Sequence, residues 1–411
     1  MISITVLCAF VGLLQTAASR SLLSRAIADD DVPVPQLKND FKKGDVPAQW
    51  ANGYPKKWGS EDFGIQFNDP EPDDTFGGVV TEDEKYVVMF NGSHIRFVDL
   101  DTKIDVSTFN LGNPPDSFLA GMTLRSKPQG GYDLLFSGGE SRYATPNVMF
   151  RRRIASDLKP IGELESYLAG EIGDIDKNGR VASTGGYIYD LDTPDVANVT
   201  LKDHPSITGM SFSGDGQYLA TVGWVDMSAD LWNATTGERI LQFPPTHAQN
   251  WLTKISPDNK YVIISLGTAK LQIYSLANLD AEPTVVNSFN DWIRSIEWTP
   301  NAKYLATGDR GRMQVWKFPE VELVQTWQIN STAKSYDLYE PWGLSWLDGE
   351  NKVSWTYRYG RYMYDFESNL KRWWTPGYDD HSWGNGGVTY LKKRGYIATV
   401  DGDSRIRFWK I

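Results

Sequence analysis

The sequence predicts an all-β fold in which one four-stranded unit repeats around a ring, and three observations lead there. Aromatic residues make up 13% of the 411-residue chain, with 16 Trp and 20 Tyr, a load that sheets use for cross-strand packing. Short apolar runs alternate with clusters of Gly, Pro, Asn and Asp, which is the punctuation of short strands rather than helices. A motif also recurs. Ser213-Gly-Asp215-Gly-Gln-Tyr218-Leu-Ala-Thr221 is answered by Ser256-Pro-Asp258-Asn-Lys-Tyr261, by Thr299-Pro-Asn301-Ala-Lys-Tyr304 and by Lys393-Arg-Gly395-Tyr396.

The repeat sets the architecture. Aligning the residue that opens the second strand of each unit gives positions 86, 132, 180, 218, 261, 304, 352 and 396. A period near forty-odd residues with four strands per unit is the signature of a β-propeller. One such sheet cannot bury both faces alone, so the units pack around an axis until the ring closes. The count predicts eight blades, or seven if residues 170–200, with their short third strand, are an insertion. The last unit stops at Ile411 after three strands. The alternating run Asp62–Phe67, ahead of the first unit, is expected to supply the fourth and leave no open sheet edge at the seam. The propeller is therefore placed at residues 59–411.

Ser256-Pro257-Asp258-Asn259-Lys260-Tyr261, Tyr304-Leu-Ala-Thr-Gly308 and the strand-ending Trp232, Trp316 and Trp409 resemble the WD-repeat family. The likeness covers residues 200–411 well and 76–200 loosely, and the Trp-Asp pair itself is absent. The resemblance implies an interaction scaffold. It also implies a structural relay of His, Ser or Thr, Asp and Trp. In the last unit that relay would use His381, Thr399, Asp401 or Asp403, and Trp409. In the fourth it would use His204, Thr221 and Trp232, and His247 holds the matching position in the fifth.

Outside the repeats, residues 1–19 read as a signal peptide. Ile4–Leu14 is an apolar run ending in the small residues Thr16-Ala17-Ala18, too short to span a bilayer. Residues 20–58, with Asp29-Asp30-Asp31 and several prolines, are expected to form an extended or disordered linker or pro-segment. The expected location is therefore extracellular. Four sequons agree with secretion, at Asn91, Asn198, Asn233 and Asn330. The one cysteine, Cys8, lies inside the signal, so the mature chain holds no disulfide, no thiol nucleophile and no thiolate metal site.

The formal net charge of −11 argues against nucleic acid, whose recognition starts from a basic surface. Catalytic signatures such as a nucleophile elbow, a P-loop or a zinc-protease helix do not occur, and no cofactor is indicated. Asp174, Asp176 and Asn178 imitate the start of a calcium loop, but the twelfth position is Gly185, and the bland reading is a hairpin turn. Arg151-Arg152-Arg153 reads as an anion patch or, better in an acidic chain, as internally paired strand residues. The most aromatic stretch runs from Trp342 to Trp383. Trp355, Tyr357 and Tyr359, then Tyr362, Tyr364 and Phe366, alternate as packing faces do. Trp342, Trp373, Trp374 and Trp383, with Asp379, Asp380 and Asn385, are the candidates for a ligand platform. The function expected is a monomeric binding scaffold for a protein or a glycan. The alternative is a carboxylate- or metal-dependent hydrolase or lactonase in the channel, with Asp174, Asp226 and Asp309 as candidates.

Overall fold

A computed structural model describes residues 34, 36–67, 77–112, 118–139, 148–167, 170–193, 198–330, 342–357, 360–375, 388–401 and 404–411. These form eight antiparallel four-stranded sheets, each a blade. Blades one to seven take their strands in chain order, over residues 77–110, 118–167, 172–200, 209–242, 250–286, 295–329 and 342–375. Blade eight joins Val388–Leu391, Tyr396–Asp401 and Arg405–Lys410 to Phe63–Gln66, which pairs antiparallel with the chain's last strand. The closing strand thus falls where the alternation predicted. Residues 172–200 form a full blade, which decides eight over seven.

The eight second strands open at Tyr86, Tyr132, Arg180, Tyr218, Tyr261, Tyr304, Lys352 and Tyr396, the positions at which the sequence repeats. The turn before them explains why it repeats. Ser213 Oγ donates to Asp215 Oδ1 at 2.6 Å and accepts the Tyr218 amide at 2.9 Å. Ser256, Asp258 and Tyr261 do the same at 2.7 and 3.0 Å, and Thr81, Asp83 and Tyr86 at 2.6 and 3.0 Å. A hydroxyl and a carboxylate at fixed spacing therefore occupy backbone donors that a bare turn would leave unpaired. The fourth turn residue takes a left-handed φ, +75° at Gly216 and +60° at Asn259, which suits Gly and Asn.

Among the described residues, eight apolar clusters lie one at each junction between neighbouring blades. The cluster between blades eight and one joins Ile65, Ile406 and Phe408 to Val87, Met89 and Val98, so the seam is packed like any other junction. Blades two and three also share a buried charge network. Asp133, fully buried, meets Arg125 and Arg151, and Arg125 reaches across to Asp192 at 2.7 Å. Arg153 pairs with Glu165 and Arg152 donates to the Gly162 carbonyl. The three consecutive arginines are internally paired and form no anion patch.

One expectation is corrected. Residues 36–58 are extended but are not a free linker: they are stitched along the rim. Leu37–Asn39 extends blade six, and Gln49–Trp50 and Lys56–Lys57 add in parallel to the outer strand of blade seven. Between them Phe41, 1% exposed, stacks on Tyr364 at 4.5 Å and meets Trp355 edge-on at 5.4 Å. The linker reading missed this because one buried ring and main-chain pairing hold the segment, and neither produces an apolar period.

Candidate functional site

Strand alternation divides the molecule into two faces. The connections between blades and those between second and third strands share one, here the loop face. The remaining turns share the other. First strands of successive blades touch one another at six of the eight junctions.

On the loop face three tryptophans from three blades form a ladder. Trp224 follows the second strand of blade four, Trp251 is the second residue of the first strand of blade five, and Trp292 precedes the first strand of blade six. Trp224 and Trp251 lie 5.0 Å apart and Trp251 and Trp292 5.2 Å apart, centroid to centroid. All three are half-buried. The Arg294 guanidinium sits over Trp251 at 4.4 Å and over Trp292 at 4.9 Å. The indole N–H groups of Trp224 and Trp251 are shielded from solvent without a hydrogen-bond partner among the described residues. Beside Trp224, Val225 is 71% and Met227 40% exposed.

The loop that carries them is pinned. Asn250, fully buried, donates to the carbonyls of Met227 and Ser228 at 2.9 and 2.8 Å. Asp226 accepts the amides of Ser206 and Ser228 at 2.9 and 3.1 Å. Met227 itself is left-handed, with φ of +56°.

Inside the ring, Lys254 pairs with Glu297 at 3.3 Å, on the first strands of blades five and six. Asp174, on the first strand of blade three, accepts the Phe212 amide of blade four at 2.7 Å. Burial raises the carboxyls of Glu297 and Asp174 above their usual range, and Lys254 opposes the rise in both. This is a carboxylate–ammonium belt at the channel wall.

The channel candidates otherwise serve the scaffold. Asp226 holds its own loop, as above. Asp309 accepts from Arg312 at 3.1 and 2.7 Å and from the Asn290 amide at 2.5 Å. Asp176, offered as a calcium ligand with Asp174 and Asn178, accepts the amides of Asn178 and Arg180 and pairs with the Arg180 side chain at 2.8 Å. It occupies the place of Ser213 in the recurring turn, with Gly179 left-handed at +81°. The calcium-like spacing is turn chemistry.

The ligand platform proposed from sequence is also corrected. Trp373 and Trp374 are 0% exposed, because consecutive residues of an outer strand each face a neighbouring blade. Trp373 packs with Tyr362 and Trp374 with Trp409. Trp355, Tyr362 and Tyr364 are junction packing, as alternation predicts. Trp342 is described by its backbone alone, while Trp383, Asp379, Asp380, Asn385, Tyr359 and His381 lie outside the described residues. The ladder itself escaped the sequence reading, since its members stand 27 and 41 residues apart in three different units.

The implied relay is present in part. Trp232 Nε1 donates to Thr221 Oγ1 at 2.8 Å and Trp409 Nε1 to Thr399 Oγ1 at 3.0 Å. Blade six adds an unforeseen third rung, Trp316 to Thr307 at 3.1 Å, which the repeated Leu-Ala-Thr and Trp spacing already signalled. His204 contacts the carbonyl of Pro205 at 2.9 Å through Nδ1. His247 is exposed with φ of +53°; buried Asn250 ties the loops together in its stead. Asp401 is described by its backbone alone.

Buried Asp230, beside the Trp232 rung, supplies a test of this interior. Its carboxylate lies 3.1 Å from Arg239. Burial pushes its pKa up from 3.8 to about 6, Arg239 opposing and Asp226 adding to the rise. The folded value exceeds the unfolded one, so this group's contribution is most favourable below about pH 4 and is lost as pH rises to about 6. Asp230→Asn is expected to be about 1–3 kcal/mol more stable than wild type at pH 7.5 and equal to it at pH 3.5, in urea melts at the two pH values.

The model of the WD domain, G-beta repeat, matches residues 197–233 and 283–317. Each match runs from the outer strand of one blade to the third strand of the next and stops one residue after Trp232 or Trp316. The chain is a WD-repeat β-propeller. Its WD-repeat character extends to a curated relative, the serine-threonine kinase receptor-associated protein of Gallus gallus. The two are 23% identical over 152 residues, 37% of this chain and 43% of that protein, so the match spans less than half of the relative's length. Among solved structures, the computationally designed Ika8 protein superposes with a TM-score of 0.58 at 13% identity, covering 81% of this WD-repeat chain and 95% of the designed one. At that identity the likeness is one of fold. No helix among the described residues is long and apolar enough to cross a membrane.

Proposed function

We propose that this WD-repeat propeller is a secreted interaction scaffold that receives a segment of a partner protein on its loop face, over blades four to six. The observation that carries the reading is the Trp224–Trp251–Trp292 ladder with its pinned apolar loop. Tryptophan and arginine anchors set beside exposed apolar residues are the composition of a binding hot spot. A surface whose loops are already fixed loses little entropy when it binds. Secretion is supported by the Ile4–Leu14 run and by the small residues Thr16-Ala17-Ala18 that follow it.

The sequons sharpen this reading. Asn198 and Asn330 are exposed and Asn233 is half-buried, whereas Asn91 is 1% exposed within a strand. Burial therefore weighs against a glycan on Asn91. Glycopeptide mapping of the secreted protein is expected to find glycan on Asn198, Asn233 or Asn330 and none on Asn91.

The function is tested by titrating the full-length secreted protein with randomised synthetic octapeptides and, separately, with an oligosaccharide panel. Saturable peptide binding that Trp251→Ala weakens tenfold or more, in a protein that still melts cooperatively, is the expected result. Binding confined to oligosaccharides, or peptide binding indifferent to Trp251→Ala, would overturn the reading.

A further inference from the structure

One buried side chain stands at the root of two rungs of the ladder. Asn250 immediately precedes Trp251 in the first strand of blade five and is fully buried. Its Nδ2 donates to the carbonyls of Met227 and Ser228 at 2.9 and 2.8 Å, in the loop that carries Trp224. Its Oδ1 accepts from Thr246 Oγ1 at 3.1 Å. The orientation of the amide follows from these partners, since the reverse would set Oδ1 against two carbonyl oxygens.

Resting on the reading of this face as protein-binding, we infer that Asn250 is the positioning residue of the ladder. It is too deep to touch a ligand, and it acts by fixing where Trp224 stands against Trp251. The loop 223–228 has two side-chain anchors, and they differ in burial. Asp226 accepts the amides of Ser206 and Ser228 and the Ser228 hydroxyl, but it is exposed. Water replaces bonds of that kind at little cost. Asn250 works where water does not reach. Without it the Met227 carbonyl has no partner among the described residues, and the Ser228 carbonyl keeps the Gly223 amide at 3.0 Å. An orphaned carbonyl is costly inside a protein, and the loop relieves the cost by turning that peptide outward, which moves Trp224. Met227 also holds a φ of +56°. A residue with a branching side chain keeps that conformation only where its surroundings impose it, and Asn250 is bonded to the carbonyl of that same residue.

The residue type matters. Gripping two successive carbonyls takes two donors on one planar group, and answering Thr246 takes an acceptor on the same group. A primary amide supplies all three. Aspartate has the same shape and, ionised, no donor. Histidine offers at most one N–H on each nitrogen, so it meets one of the two carbonyls.

Circular dichroism and peptide titration of the full-length protein test this. The Trp224 and Trp251 rings, 5.0 Å apart and inclined by 32°, couple their excited states, and the difference between wild type and Trp224→Phe gives the far-ultraviolet couplet of that pair. Asn250→Asp is expected to lose most of the couplet and to bind randomised octapeptides about tenfold more weakly, as truncation of a hot-spot ring does. Asn250→His and Thr246→Val are expected to lose part of each, and they carry the test should Asn250→Asp fail to fold. Leu134→Ala, a core truncation in blade two, is expected to lower the melting temperature and to leave couplet and affinity unchanged. A folded Asn250→Asp protein that keeps the couplet, or that loses it with octapeptide affinity intact, overturns the inference. So does an equal loss of couplet in Asp226→Ala. Saturable oligosaccharide binding by the wild type without octapeptide binding overturns the protein-binding reading instead, and the couplet alone then decides whether Asn250 places the rungs.

Discussion

A chain that begins at Phe67 is expected to lose its cooperative unfolding transition and to self-associate. Such a chain lacks Phe63–Gln66, so the strand Arg405–Lys410 becomes an open edge, and the Phe63–Phe408 stack at 4.3 Å is lost. Open edges of this kind template pairing with other chains. The same cut strips Leu37–Lys57 from blades six and seven. Phe41→Ala separates the two contributions, because it leaves the closing strand in place. It removes a fully buried ring from a box of Trp355, Tyr364 and Phe366, at an expected cost of about 3–5 kcal/mol. Calorimetry and size-exclusion chromatography on both variants check the pair. Expected are a broad transition and higher-order species for the truncation, and a lowered but sharp transition for Phe41→Ala.

Trp373→Ala is expected to cost a similar about 3–5 kcal/mol and to leave ligand affinity of the folded protein unchanged. Trp373 is 0% exposed and packs on Tyr362 at 4.2 Å, within the cluster that also holds Trp327 and Trp355. Gly360→Ala probes the same packing from the other side, since a Cβ at Gly360 would lie 2.0 Å from Cη2 of the Trp373 ring. That ring is boxed in and cannot withdraw, so the glycine substitution is expected to be destabilising as well. Urea melts give the stability, and titration with the randomised octapeptides gives the affinity. A ligand platform at Trp373 would show the reverse pattern, with affinity lost and stability kept.

These expectations mark how far the sequence could be read. The repeat spacing placed eight second strands at the right residue, and its clearest marks are the turns at Thr81, Ser213 and Ser256, where hydroxyl and carboxylate must each occupy a fixed position for the turn to close. The alternation of Phe63, Ile65 and Phe67 likewise marked the closing strand. Alternation failed at Trp373 and Trp374. An outer strand buried on both faces carries apolar residues side by side, and the sequence does not distinguish that from a solvent-facing aromatic pair. At Asn91 the sequon tells of chemistry but not of burial, which only the fold supplies.

By itself the sequence determined that this protein is a closed ring of WD-type blades and which segment seals it, and it narrowed their number to eight or seven. Those features follow from local rules, turn chemistry and the period-two pleat, which repeat along the chain and so can be counted. Only the tertiary structure decided which aromatic residues face the solvent and which charges are already engaged. Trp224, Trp251 and Trp292 belong to three different units and meet because the ring brings loop ends together. Phe41 is core because two blades leave a place for it. Contacts of that kind depend on the closure of the whole ring, and no window of the sequence contains them.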